Sequence, residues 1–303
     1  KQDAGLIHTS HDSARFGLAT FSNLSYDPPV PGGGDGDKTA PMTTATTDPA
    51  APQSGWYTGP VSVTLSAADE ANGSGVGKTE YVLDGGDWTP YTEPVTVSGE
   101  GKHELKYRST DKAGNVEDVK AAAFQIDTKA PAVVISGMAD GEKYGDSQDL
   151  QIAWQVVDTA SGVKSVSGTL DGKPFESGTL QPLYGLALGT HTVTVTAVSN
   201  AGSQTEQSVT FSVETSTRDI AALIDRFEKD GKLTDREAHR LQTNLATVRD
   251  AEDKGKKDDK IIKEIRKFKD AVSGKKGVSD EQVRAVLLRD ADALIVRHGG
   301  TPA

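Results

Sequence analysis

The chain has 303 residues, 33 Lys and Arg against 44 Asp and Glu, a formal net charge of -11 and no cysteine. That length allows two or three domains, the lack of cysteine excludes disulfides and thiolate metal sites, and no run nears the ~18 apolar residues of a membrane-spanning helix. The acidic balance argues against nucleic acid as a partner, because phosphate binding needs a concentrated basic face.

Charge is unevenly spread. Residues 216–298 hold 20 basic and 17 acidic side chains, whereas the rest of the chain holds 13 and 27. A compositional boundary therefore falls near Glu214.

In chain order, residues 1–27 read as two strands, Gly5-Leu6-Ile7-His8-Thr9 and Ala19 to Tyr26, around a polar turn that begins at His11. A lone hairpin buries too little surface to fold by itself. His8 and His11 are the two side chains there that could ligate a metal. Lys1 opens straight into the first strand without an initiator Met, so the chain reads as a piece of a longer exported protein. Residues 28–38 are a linker, stiff at Pro28-Pro29-Val30-Pro31 and loose at Gly32-Gly33-Gly34. Asp35 and Asp37 fall short of a calcium loop, which needs a bidentate Glu further on.

The middle of the chain repeats itself. Ser74-Gly75-Val76, Leu83-Asp84-Gly85, His103 and Ala113-Gly114 return as Ser161-Gly162-Val163, Leu170-Asp171-Gly172, His191 and Ala201-Gly202, at offsets of 87 to 88 residues. Short alternating apolar runs (Val61, Val63, Leu65; Leu105, Tyr107; Ile152, Trp154, Val156; Val209, Phe211, Val213) are spaced by Gly and Asp turns. That spacing predicts two tandem Ig-like antiparallel β-sandwiches, over 39–128 and 129–214. Beyond Thr217 the apolar period becomes helical, as in Ile220, Leu223, Ile224 and Phe227. Thr234 to Glu237 and Ser279 to Gln282 read as capping boxes. Gly231, Gly255 and Gly299 read as stops, so 215–299 is predicted to be a small bundle of three to four helices.

No nucleophile elbow or His-Glu metal motif is present, and most acids sit in turns, so no catalytic residue is assigned. His103 and His191 hold the same place in the two repeats and read as structural. Trp56, Tyr57, Trp88 and Tyr91 are the rings on which a sugar could stack, with core packing as the competing reading; Trp154 alternates with Ile152 and Val156 and is assigned to the core. Asp69, Asn72, Asp84, Asp111 and Asn115 are hard oxygen donors on loops that a sandwich could gather at one end, where calcium would bind. The competing reading makes Asp111 to Asn115 a tight turn with Gly114 or Asn115 at positive φ. The exposed lysines from Lys254 to Lys276 read first as a solvated face and otherwise as a surface for anionic polymer.

Three resemblances extend this reading. Residues 1–27 resemble the last strands of concanavalin-like jelly rolls of secreted bacterial sugar-active proteins, through Gly5-Leu6, Thr9-Ser10-His11-Asp12 and Ala19-Thr20-Phe21. The first repeat resembles the OmpL47-type Ig-like modules of secreted actinobacterial glycosidases, through Gly55-Trp56-Tyr57-Thr58-Gly59-Pro60, Leu83-Asp84-Gly85-Gly86-Asp87-Trp88 and Asp111-Lys112-Ala113-Gly114-Asn115. The second repeat lacks the Trp-Tyr segment and has Ser199 at the place of Asp111, so it is a generic bacterial Ig-like unit. The helical stretch resembles FIMAH- or FIVAR-like modules through Leu223-Ile224-Asp225-Arg226-Phe227 and Leu287-Leu288-Arg289-Asp290-Ala291. Together they imply a secreted, monomeric, non-catalytic spacer and adhesion region of a multi-domain carbohydrate-active or cell-surface protein. The implied partner is polysaccharide or cell-wall polymer, and calcium is the one cofactor left open. The alternative is a glycan-binding module that uses the rings of the first sandwich.

Overall fold

The computed structural model describes residues 36–302. The hairpin and histidines expected within 1–27, and most of the linker expected over 28–38, lie outside the described residues. In the first repeat the alternating residues become strands with one face inward. They are β1 (Met42–Asp48), β2 (Val61–Ala68), β3 (Val76–Leu83), β4 (Thr89–Pro90), β5 (Val95–Val97), β6 (Gly101–Asp111) and β7 (Lys120–Ile126). They form two sheets, β1-β2-β5 and β4-β3-β6-β7, with every neighbouring pair antiparallel. Val61, Val63, Val97, Leu105, Tyr107, Phe124 and Ile126 fill the space between them, as expected where two sheets share one core.

The second repeat builds β8 (Ala132–Ser136), β9 (Glu142–Gly145), β10 (Asp149–Val157), β11 (Val163–Leu170), β12 (Lys173–Phe175), β13 (Thr179–Pro182), β14 (Gly189–Ser199) and β15 (Gln204–Glu214). Its sheets are β13-β10-β8 and β12-β11-β14-β15-β9, and β9 lies parallel to β15. The two units share details below the level of topology. Each pairs its SGV strand with a register shift at the same point, between Val76 and Lys78 and between Val163 and Ser165. Each LDG turn holds its Asp at positive φ, 52° at Asp84 and 51° at Asp171, a conformation Asp tolerates by bonding locally. The matched histidines are structural. Nδ1 of His103 and of His191 meets the Oδ2 of Asp84 and of Asp171 at 2.7 Å, and Nε2 meets the carbonyl of Gly99 at 3.3 Å and of Ala187 at 2.9 Å.

Four helices follow: α1 (Thr217–Lys229), α2 (Asp235–Asp253), α3 (Asp258–Ser273) and α4 (Glu281–Arg297). Thr234 forms the predicted capping box with Glu237. The second expected box does not form, because Asp280 rather than Ser279 caps α4, its side chain accepting the Val283 amide. Ser279 instead donates its amide to Glu237, which ties the start of α4 to the start of α2. Ile220, Leu223, Phe227, Leu241, Ile265, Phe268, Leu287 and Ile295 close a third core.

Trp154 is half-buried against the second core. Its ring lies over Gly168 on β11, where an added Cβ would stand 2.2 Å from the indole. Gly168→Ala is expected to cost about 1–3 kcal/mol by overpacking, read as a lower denaturant midpoint for the second sandwich with the helical signal preserved.

Candidate functional site

The four predicted sugar-stacking rings do not form one platform. Tyr57 belongs to the first core, at 6% exposure, and its ring lies 6.2 Å from that of Phe124. Tyr91 is half-buried on the same core, and its hydroxyl accepts the Leu65 amide. Trp56 is half-buried beside the Ser54 turn, which takes its amide. Trp88 alone is well exposed, at 37%, and the Arg108 guanidinium stacks on it 4.2 Å from the ring centroid. A groove of about 460 Å3 lined by Tyr81, Leu83, Thr89, Glu93 and Thr96 opens nearby along the chain.

The predicted calcium donors separate into two places. Asp69 and Asp111 come together with Asp37, their oxygens lying within 4.8 Å of one another. Asn115 joins them by donating its side-chain amide to Asp111 Oδ2 at 2.7 Å. Asp84 is not part of this group, since its carboxylate is held by His103 and by the Glu104 amide; those two donors, His103 first, keep the Asp84 carboxyl below the usual range. Asn72 is an exposed turn residue. Glu117, a further loop acid, is turned inward to Thr43, Ser109 and Lys120.

Asp37, which the sequence set in the linker and, with Asp35, short of a calcium loop, completes this group. Such an oxygen cluster could hold a hard cation. It also works as a brace without one, because all six carboxylate oxygens accept an N–H. Asp37 takes the Thr39 and Ser74 amides, Asp69 the Glu70 and Gly75 amides, and Asp111 the Asn115 backbone and side chain. The turn itself has Gly114 at φ 97°, as the tight-turn reading requires. The second unit repeats the brace with one carboxylate fewer. Asp127 takes the Lys129 and Ser161 amides, Asp158 takes the Ala160 and Gly162 amides, and the Ser199 hydroxyl takes the Ser203 amide.

The strongest electrostatic feature lies elsewhere, between the second sandwich and the bundle. Asp290 is on the apolar stripe of α4, between Leu287 and Leu294, and Asp146 sits just past β9; both are fully buried. Arg289 joins them. Its Nη2 donates to Asp146 Oδ2 and its Nε to Asp290 Oδ1, each at 2.7 Å, and its Nη1 donates to the Tyr184 and Leu186 carbonyls at 3.0 and 2.5 Å. Around this clamp, Arg226 pairs with Asp149 at 2.7 Å and covers the Tyr184 ring, and Ser147 donates to Asp219 at 2.7 Å. Gly145 lets Asp219 approach, since a Cβ there would be 2.2 Å from its carboxylate.

Two carboxylates and one guanidinium would leave one negative charge in a buried interface, which is costly. The oxygens that Arg289 leaves free, Asp146 Oδ1 and Asp290 Oδ2, have no other partner. The two acids face one another across the guanidinium, and the charge on one disfavours the charge on the other. A proton retained on one of the carboxyl groups would make the triad neutral. Burial first, and the Asp146 charge next, push the Asp290 carboxyl up to about 8; burial likewise raises Asp146. A close, shifted carboxyl pair is also what an acid–base enzyme needs, but these two are sealed from solvent and no substrate reaches them. The pair escaped notice in the sequence although a signal was present, an acid at the apolar phase of an amphipathic helix.

The chain is thus a pair of Ig-like β-sandwiches followed by four helices. Residues 217–296, the helical part, match the FIMAH domain family. No curated protein matches the chain. Among solved structures it is similar to the fibronectin(III)-like modules of CbhA from Clostridium thermocellum, at 16% identity and a TM-score of 0.27, over 57% of this chain and 95% of that one. It is also similar to carbohydrate-binding modules of the β-sandwich superfamily (14%, TM-score 0.26, 53% and 58%). A third similar structure is a Ca2+-stabilized adhesin with which an Antarctic bacterium binds ice (18%, TM-score 0.29, 59% and 50%).

Two tests follow from the geometry. Asp111→Ser, which copies Ser199, is expected to cost the first sandwich about 1–3 kcal/mol for bonds to a charged acceptor, equally with and without millimolar calcium in thermal melts; a calcium-dependent loss would assign the group to a cation. For the clamp, both closed and open forms hold the Asp290 proton below about pH 4, only the closed form holds it up to about pH 8, and neither does above. Proton binding therefore stabilises the closed clamp fully in acid, and that contribution is lost as pH rises through this window. Urea midpoints measured from pH 4 to 9 should show it as a falling component that Asp290→Asn removes.

Proposed function

We propose that this chain is a non-catalytic spacer and adhesion region of a secreted, multi-domain carbohydrate-active or cell-surface protein. The clamp between the second sandwich and the bundle carries this reading. A buried, ion-paired junction fixes the terminal helices to the sandwich before them, as a stalk presenting a head requires. The proposed domains are two Ig-like units over 39–128 and 129–214 and a helical unit over 215–299, and the clamp joins the last two. The likeness of the first unit to OmpL47-type modules supports an actinobacterial, sugar-active setting outside the cell, with polysaccharide or cell-wall polymer as the partner. The rings of the first sandwich support a structural role, since Tyr57 and Tyr91 are committed to its core.

A second reading keeps glycan binding in the first sandwich. It rests on Trp88, exposed and adjacent in sequence to the Thr89 that lines the groove.

Retention of the full chain on insoluble polysaccharides and purified cell wall tests both. Trp88→Ala is expected to leave retention unchanged, and Arg289→Ala to broaden the solution scattering profile as the bundle comes free. Loss of retention in Trp88→Ala moves the binding site to the first sandwich. No retention on any polymer removes the adhesion half of the proposal.

A further inference from the structure

In a chain of net charge -11, residues 254–276 hold ten basic side chains and four acidic ones. This segment is α3 with the turns on either side of it. Lys254, Lys256, Lys257, Lys260, Lys263, Arg266, Lys267, Lys275 and Lys276 are all exposed. Some are neutralised within the fold: Lys254 and Lys256 share Asp250, Lys267 bonds Glu264, and Lys269 bonds Asp292. Lys257, Lys260, Lys263, Arg266, Lys275 and Lys276 form no ion pair among the described residues. At about 100° per residue, Lys260, Lys263 and Lys267 fall within an arc of roughly 60° on the side of α3 away from Ile261, Ile265, Phe268 and Val272. The turn lysines extend this line past both helix ends, over roughly 25 Å.

The placement of α3 leaves the line open. The polar contacts between sandwich and bundle run through Thr215, α1 and α4, whereas α3 packs on α2 and α4. The basic row is therefore not part of the clamped face.

We propose that this row is a docking surface for a linear acidic glycan, a polymer carrying carboxylate or sulfate charges at intervals of several ångströms. The inference deepens the adhesion reading above and rests on it for its class of partner. Charge complementarity supplies the attraction, and the side chains narrow its kind. Single-stranded nucleic acid is bound on exposed aromatic platforms, but Phe227 and Phe268, the phenylalanines of the bundle, are each 1% exposed. A membrane surface would take the apolar face of an amphipathic helix, and that face of α3 is spent on the bundle core. Phosphate recognition favours the bidentate fork of Arg, whereas a row of point charges suits dispersed anions; nine of the ten cations are Lys.

The test uses the full chain and a Lys260→Gln, Lys263→Gln, Arg266→Gln variant, whose three exposed changes should leave the thermal melt unaltered. Affinity is measured on immobilised polygalacturonate, neutral xylan and duplex DNA across a salt series. The expected result is salt-sensitive binding to polygalacturonate that weakens about tenfold in the variant, with a shallower salt slope. Equal binding by the variant, or binding to xylan without polygalacturonate, overturns this inference and leaves the adhesion reading standing. Tighter binding to DNA than to polygalacturonate overturns the glycan assignment. No binding to any of the polymers, joined with no retention on cell wall, overturns both.

Discussion

A single guanidinium sets how the C-terminal half of the molecule is put together. Arg289 holds two buried carboxyl groups and two backbone carbonyls at once, so the second sandwich and the bundle share one set of charges. Removing it would strand two acids without a cation in the interface, a loss of about 3–5 kcal/mol for a broken buried pair. Its neighbours depend on that alignment. Asp149 meets Arg226, Ser147 meets Asp219, and the Tyr184 ring packs edge-on against Phe227 at 5.2 Å, so α1 is seated on the same sandwich beside α4. Burial raises both carboxyl groups, and a proton kept on one of them would balance the guanidinium.

The two sandwiches show how a repeat can keep its geometry while its chemistry drifts. Both retain the Asp–His pair at one turn and the Asp brace at another. The third carboxylate, Asp111, is Ser199 in the second unit, and the hydroxyl still accepts the amide four residues on. The brace therefore tolerates loss of a charge provided an acceptor remains, and this favours a role in holding loops over a role in holding ions.

Much of the architecture was legible in residues. Period-two apolar runs placed the strands, and the change of period at Thr217 placed the helices. The repeated His pointed to a structural role before any partner was known. What could not be read was pairing at a distance. Asp37 lay in a linker by composition, yet the fold carries it to Asp69 and Asp111. Asp146 looked like one more turn acid until Asp290 was brought against it. The rings illustrate the same limit, since Trp56, Tyr57, Trp88 and Tyr91 are alike in sequence and differ in what the sheets cover. The misplaced capping box has a local cause: Asp280, one residue beyond Ser279, is the residue that reaches the Val283 amide.

The short strand β9 runs parallel to β15, and only Thr215 and Ser216 separate β15 from α1. Tension applied through the helices would enter the sandwich along β15. There it would meet bonds to β14 on one side and β9 on the other, all crosswise to the pull. Such bonds are strained together and must fail together, unlike those of a hairpin peeled from its end. A module anchored at its helical tip and drawn by flow would thus resist extension at the strand where the load arrives.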